Sequence, residues 1–272
     1  MGKYARIGFI GAGKMASAII KGLIKTGFAE PENIKATQVE IETLGEKSRD
    51  LGIKVISDNK ELVKWADVVF IATKPNQVLG VLEEISPFLN NEKLVVSIAA
   101  GVNTKKLESH LPENTKLIRV MPNTPALVGE GMSGMFGGKK AGINDIEFVQ
   151  NLLSTIGKCI VVDDENQMDI VTAISGSGPA FYYKVINEIA RAGEKLGLDY
   201  EKSLLLSIQT AIGSAKMALN REISMEQLIS NVATKGGCTA VGVDCMNENN
   251  TEKVFYDVID GTTKKAHALG EG

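Results

Sequence analysis

Gly11-Ala12-Gly13-Lys14-Met15-Ala16 follows directly on the apolar run Arg6-Ile7-Gly8-Phe9-Ile10 and leads into a helical stripe of Met15, Ile19, Ile20, Leu23 and Ile24. A buried strand, a glycine turn and a helix in immediate succession can grip a dinucleotide pyrophosphate. One glycine permits the tight turn, the next lets backbone N–H groups approach the phosphates, and a small third residue lets helix and strand pack closely. The phosphates then sit at a helix N-terminus, where unpaired N–H groups and the helix dipole favour negative charge. The chemistry would come from the bound cofactor. The rest of the composition agrees, because acid–base and metal chemistry have little to draw on. The two histidines, His110 and His267, stand alone and read as surface or capping residues. Three cysteines (Cys159, Cys238 and Cys245) are an odd number with no Cys-x-x-Cys pair, so neither a disulfide scaffold nor a metal site is expected. On one helix, Cys238 and Cys245 would be roughly 10 Å apart along the axis, beyond disulfide reach.

The end of the second strand, Ile34 to Thr37, bears on the choice of cofactor. A site preferring NAD usually places an acid there for the ribose hydroxyls. Here Thr37, Gln38 and Val39 stand at the strand end and Glu40 lies beyond them, which leans towards NADPH, although no arginine is present either. Lys14 could add positive charge or be a solvated lysine. Ala72-Thr73-Lys74-Pro75 and Val96-Ser97-Ile98-Ala99-Ala100-Gly101 each end an apolar strand, where ligands of an open α/β sheet bind. Their alternative role is plain connection and packing. Arg119-Val120-Met121-Pro122-Asn123-Thr124-Pro125 carries two prolines that fix a rigid loop. In Asn231-Val232-Ala233-Thr234-Lys235-Gly236-Gly237-Cys238-Thr239-Ala240, two glycines and a threonine open a helical pattern. That is either an ordinary capped start or an anion site able to grip a carboxylate.

These segments need elements to hold them. Apolar strand patterns lie at 4–10, 34–37, 53–56, 68–72, 94–98 and 116–120, with weaker ones at 132–136 and 159–162. Helical patterns alternate with them near 13–26, 40–51, 59–66, 75–88, 104–110 and 144–156. Alternation of this kind predicts a parallel sheet with helices on both faces. After Asp163 only helical patterns remain: 166–193, 200–219, 224–231, 239–248 and 251–268. The expected division is therefore an α/β dinucleotide-binding domain over 1–162 and an all-α domain over 163–272. Small residues at 173–180 and 211–215 allow close approach between helices or subunits, which predicts an obligate dimer built from the helical domain. A net charge of −3 provides no overall basic field for nucleic acid. No apolar run approaches the roughly 20 residues of a membrane span, and the N-terminus carries no signal-peptide core, so a cytoplasmic location is expected.

Taken together, Gly8 to Gly13, Ala72 to Pro75, Val96 to Gly101, Arg119 to Val128, Ser175-Gly176-Ser177-Gly178-Pro179-Ala180 and the 231–239 run resemble the pyrroline-5-carboxylate reductases in kind and in order. The resemblance implies a Rossmann domain followed by a helical dimerisation domain. It implies reduction of a small cyclic imine, L-1-pyrroline-5-carboxylate, to L-proline, the last step of proline synthesis, usually with NADPH and possibly with NADH. Carried over by motif, Ile10, Gly11, Ala12, Gly13, Lys14 and Met15 hold the pyrophosphate, and Thr37 and Asn59 lie near the adenosine end. Ala72, Thr73, Lys74, Pro75, Ile98, Ala99 and Ala100 surround the nicotinamide. Glu222, Asn231, Gly236, Gly237, Cys238 and Thr239 match substrate-side positions. The expectation is that the N–H groups of Gly236, Gly237 and Cys238 hold the substrate carboxylate while the Thr239 hydroxyl meets the ring nitrogen. Two residues depart from the family pattern: Cys238 stands where Ser or Thr is frequent, and Lys235 where Pro is. Family dimers often assemble further, commonly into decamers of five dimers. Two other readings stay open: a β-hydroxyacid dehydrogenase-like enzyme, with Lys184 as its candidate proton donor, and a non-catalytic NADPH-binding regulator.

Overall fold

The computed structural model describes residues 4–220 and 222–271. Eight strands form one sheet: β1 (Ile7–Ile10), β2 (Ile34–Thr37), β3 (Lys54–Ile56), β4 (Val68–Ile71), β5 (Leu94–Ser97), β6 (Lys116–Met121), β7 (Gly131–Gly137) and β8 (Gly157–Val161). Their spatial order is β3-β2-β1-β4-β5-β6-β7-β8. Neighbours run parallel except β6 and β7, which are antiparallel. The order reverses between β1 and β4, whose ends are level: Ile10 pairs with Thr37 on one side and Ile71 on the other. Such a switch point opens a crevice at the carboxyl ends of the strands.

β1, β4 and β5 are buried along their whole length, as strands covered by helices on both faces must be. Successive side chains alternate between the faces. On one face Ile7, Phe9 and Phe70 meet Ile19, Ile20 and Leu23 of α1 (Lys14–Lys25) and Val149, Leu152 and Leu153 of a later helix (Ile143–Leu153), with Phe9 stacked on Phe70 at 4.7 Å. On the other, Ile10, Val69 and Ile71 meet the helices Asn59–Trp65, Val78–Ile85 and Thr104–Glu108. In chain order the helices after α1 are α2 (Leu44–Leu51), α3 (Asn59–Trp65), α4 (Val78–Ile85), α5 (Thr104–Glu108), α6 (Ile143–Leu153) and α7 (Gln167–Val171). They continue with α8 (Gly178–Lys195), α9 (Tyr200–Leu219), α10 (Met225–Val232), α11 (Cys238–Glu248) and α12 (Thr251–Glu271).

The chain forms two compact units. One comprises the residues up to Ser177 together with those from Thr262 onward, and the other Gly178–Gly261. The texture of the sequence changes after Asp163, but α7 and the turn behind it pack with the first unit. Met168 is fully buried, and the buried Arg119 guanidinium pairs with Glu165 at 3.0 Å and Asp169 at 3.7 Å. The helical pattern expected to run unbroken over 166–193 is interrupted by a π turn at Thr172–Gly176. Ser175 fastens that turn, its Oγ donating to the Met132 carbonyl at 2.7 Å and its own carbonyl accepting from Asn123 Nδ2 at 3.1 Å. A side chain at Gly176 would collide with Met121. Of the two roles the sequence leaves open for these small residues, close approach between elements or between subunits, Ser175 and Gly176 serve the first, within one unit.

In the second unit α8 and α9 lie side by side, joined by Ser207 Oγ donating to the Ile186 carbonyl (3.0 Å) and Tyr200 Oη donating to Asn187 Oδ1 (2.9 Å). Large apolar side chains stay exposed on both helices, among them Ile189, Leu205 and Leu206. An apolar groove of about 740 Å³ runs along them.

Candidate active site

Gly11, the first residue after β1, has φ +100°, a conformation open to glycine and strained for other residues. A Cβ there would stand 2.8 Å from the Ala72 carbonyl oxygen, so the turn and the end of β4 touch backbone to backbone. Gly13 is the N-cap of α1. It has no side chain to occupy the helix end, and nothing lies within 4 Å of where a Cβ would be. No acidic residue stands in the first turn of α1. The leading N–H groups of a helix have no intrahelical acceptors, so this end is open and electropositive. Thr73 Oγ1, beyond β4, is buried without a hydrogen-bond partner. An open N-terminus, a cradle that a Cβ would fill and an orphaned hydroxyl together fit a dinucleotide laid across the turn.

A string of hydrogen bonds holds that turn in place. The Gly11 N–H donates to Thr37 Oγ1 (3.3 Å), the Thr37 hydroxyl donates to Asn59 Oδ1 (2.7 Å), and Asn59 Nδ2 donates to Glu84 Oε2 (2.9 Å). Thr37 and Asn59, singled out from sequence, are therefore joined directly to each other and to the glycine turn. Glu84 was missed; it is an exposed helix residue, and nothing in its sequence neighbourhood marks it.

The remaining cofactor-side residues cluster at the same strand ends. Ala72 N–H donates to the Ile10 carbonyl (2.9 Å) and Ile98 N–H to the Ile71 carbonyl (3.1 Å), which fixes the loops after β4 and β5 beside the turn. Ile10, Ala12 and Ala99 are buried and Met15 packs against the core, so a ligand would meet their backbone. Lys14, Lys74, Pro75 and Ala100 are exposed. A cavity of about 440 Å³ adjoins Pro75, Asn76 and Ala100 and is also lined by Lys106, Asp169 and Leu269.

The substrate-side residues lie in the second unit. Gly236 has φ +79° and turns the chain into Gly237, the N-cap of α11. Cys238 and Thr239 form the first turn of that helix, Cys238 exposed and Thr239 half-buried. One expectation needs correction. The Gly237 N–H donates to the Thr234 carbonyl at 2.9 Å and is therefore engaged in the turn rather than free for a carboxylate. The donors without intrahelical acceptors at this end are those of Cys238 and Thr239. Asn231 lies on α10, its side-chain carbonyl accepting from Gln227 Nε2 at 2.8 Å. Glu222 is exposed just ahead of Ser224, the N-cap of α10. Lys184, the candidate proton donor of the hydroxyacid reading, is 71% exposed and paired with Glu188 one turn along α8, which makes it a solvated helix lysine.

Comparison with known proteins agrees with this geometry. Residues 165–269 match the family region described as "Pyrroline-5-carboxylate reductase dimerisation", and residues 6–101 match "NADP oxidoreductase coenzyme F420-dependent". A pyrroline-5-carboxylate reductase of Methanosarcina acetivorans is 38% identical over 98% of this chain and 98% of its own length. The chain belongs to the pyrroline-5-carboxylate reductase family. A solved pyrroline-5-carboxylate reductase of Coxiella burnetii superposes with a TM-score of 0.93 at 33% identity, covering 98% of this chain and 99% of that one. A pyrroline carboxylate reductase of Plasmodium falciparum, solved with NADP bound, gives a TM-score of 0.86 at 32% identity, covering 99% and 100%. The likeness first read from scattered motifs therefore extends over the whole fold of the family.

Proposed function

We propose that this chain catalyses the NAD(P)H-dependent reduction of L-1-pyrroline-5-carboxylate to L-proline. One observation carries the reading: a chain of this family combines a dinucleotide cradle after β1 with a glycine-led helix start at 236–239. When bound, the reduced nicotinamide supplies a hydride to the imine carbon. The residues of the chain bind and orient. The Cys238 and Thr239 N–H groups, at the positive end of α11, hold the substrate carboxylate, and the Thr239 hydroxyl hydrogen-bonds the ring nitrogen. An imine that enters protonated already carries the nitrogen's proton, so two histidines outside these motifs are no handicap. Positioning two rings for attack supplies much of the acceleration.

In the cofactor half, Ile10 to Met15 take the pyrophosphate, Thr37 and Asn59 the adenosine end, and Ala72 to Pro75 with Ile98 to Ala100 the nicotinamide side. Glu222, Asn231 and Gly236 complete the substrate side. The helical part from 163 onward mediates a homodimer, and five dimers assemble into a decamer. The apolar faces left open on α8 and α9 support this, because exposed patches of that kind mark interfaces. No described helix is long and apolar enough to cross a membrane, and the enzyme works in the cytoplasm. The test follows nicotinamide absorbance with pyrroline-5-carboxylate and each cofactor. Thr239→Ala should lower kcat on the order of 10²-fold while cofactor affinity stays unchanged. Turnover near wild type in that variant would refute the assignment of Thr239.

A further inference from the structure

A cavity of about 470 Å³, room enough for a small metabolite, lies at the end of the sheet opposite the dinucleotide crevice. Its wall is drawn from three places: Lys105 and Glu108 on α5, Glu113 and Thr115 on the turn ahead of β6, and Lys139 and Lys140 on the turn after β7. Because β6 and β7 are antiparallel, the start of one and the end of the other meet at this edge. Backbone bonds close both turns. The Thr115 N–H donates to the Pro112 carbonyl at 2.9 Å, and the Ala141 N–H to the Gly138 carbonyl at 3.1 Å.

The charges of the wall do not cancel. Glu108 is engaged by Lys139, accepting from its N–H at 2.8 Å and standing 3.8 Å from its Nζ. Lys105 and Lys140 are exposed and form no ion pair among the described residues. Three lysines against two glutamates leave the wall positive. Thr115 is only 4% exposed, yet its Oγ1 has no hydrogen-bond partner. A buried hydroxyl left unpaired lowers stability, and a ligand in the cavity would give it an acceptor.

We propose that this cavity binds a phosphate monoester, at a site separate from the dinucleotide crevice. Lys105 and Lys140 neutralise the dianion, and the Thr115 hydroxyl donates to a phosphate oxygen. Lysines act as point charges and suit a tetrahedral phosphate, whereas a planar carboxylate is gripped best by the fork of an arginine, and no arginine lines the cavity.

The test titrates glycerol 3-phosphate, glycerol and succinate by calorimetry into the full chain holding saturating NADPH, which keeps the dinucleotide crevice filled. Sodium chloride holds the ionic strength constant. Glycerol 3-phosphate should occupy a saturable site, glycerol should not bind, and succinate should bind about tenfold more weakly or worse. Lys105→Gln and Lys140→Gln replace exposed side chains and should each weaken glycerol 3-phosphate about tenfold, the effect of one charge-assisted hydrogen bond. Thr115→Val should weaken it several-fold, while the ligand-free variant melts no lower than the wild type, because the hydroxyl it removes is unpaired. Binding that all three variants leave unchanged, or no saturable binding of glycerol 3-phosphate, overturns the proposal. Succinate binding as tightly as glycerol 3-phosphate overturns the assignment to phosphate.

Discussion

Gly11→Ala measures how much of the cofactor cradle is steric necessity. At φ +100° a residue with a side chain costs about 1–2 kcal/mol relative to glycine. The added Cβ would also stand 2.8 Å from Ala72 O and 3.0 Å from its carbonyl carbon, which are backbone atoms and cannot rotate away. Ala72 is tethered, its N–H donating to Ile10 O at 2.9 Å, so the glycine turn must do the moving. Overpacking of this kind costs about 1–3 kcal/mol, and loss of the Gly11 N–H bond to Thr37 about 1 kcal/mol more. The sum, about 3–6 kcal/mol, is a large share of the total stability of an ordinary domain. It should appear as a lower urea midpoint with an unchanged slope. The displaced turn should also weaken NADPH binding on the order of 10²-fold. Gly13→Ala is the control. Its φ is −73° and its surroundings are empty, so it should cost under about 1 kcal/mol of stability. It still places a methyl where the phosphates approach, and so should weaken NADPH. If Gly11→Ala lost less than about 1 kcal/mol and bound NADPH normally, the steric argument would be wrong.

Three further outcomes follow from the same contacts. Arg119→Met removes the buried cation facing Glu165 and Asp169, whose side chains are only 22% and 15% exposed, and leaves Glu165 with Thr104 and Asp169 with His267; it should cost about 3 kcal/mol in chemical denaturation. Burial raises the Asp67 carboxyl, but hydrogen bonds from the Arg6 side chain and from the Arg6 and Ala5 N–H groups outweigh it and hold its pKa below the usual value. That contribution is complete above about pH 4 and disappears as pH falls through the depressed value. Asp67→Asn should therefore destabilise by about 1 kcal/mol at neutral pH and match the wild type in strong acid. Burial pushes the Cys159 thiol up to about 12, whereas Cys238 and Cys245 are exposed. A thiolate-directed reagent should label the latter pair quickly and Cys159 only after unfolding.

The strands were readable because each is a short apolar run between helical stripes, and even the weak pattern at 132–136 proved to be β7. Its antiparallel direction was not readable, since alternation of side chains is the same either way. The glycine turn at 11–16 was legible because backbone geometry restricts the residue types there. The π turn was invisible: Ile170, Ala173 and Ile174 fit an ordinary helical stripe, and the extra residue per turn leaves no signature. Arg119 and its acids lie 46 residues or more apart in sequence, so only the folded chain pairs them. The engagement of the Gly237 N–H with Thr234 follows from the curl of the loop at Gly236, where the residue types alone suggested a free donor.

The hydrogen-bond string behind the glycine turn has a direction. Thr37 owns one hydroxyl proton and spends it on Asn59 Oδ1, so only its lone pair can face the Gly11 N–H. Asn59 must then turn its amino group to Glu84, which settles the orientation of an amide that could otherwise sit either way round. Reversing any member would set donor against donor or acceptor against acceptor. The backbone N–H of Gly11, which can only donate, therefore sets the order of protons outward to an acceptor on the outside of α4.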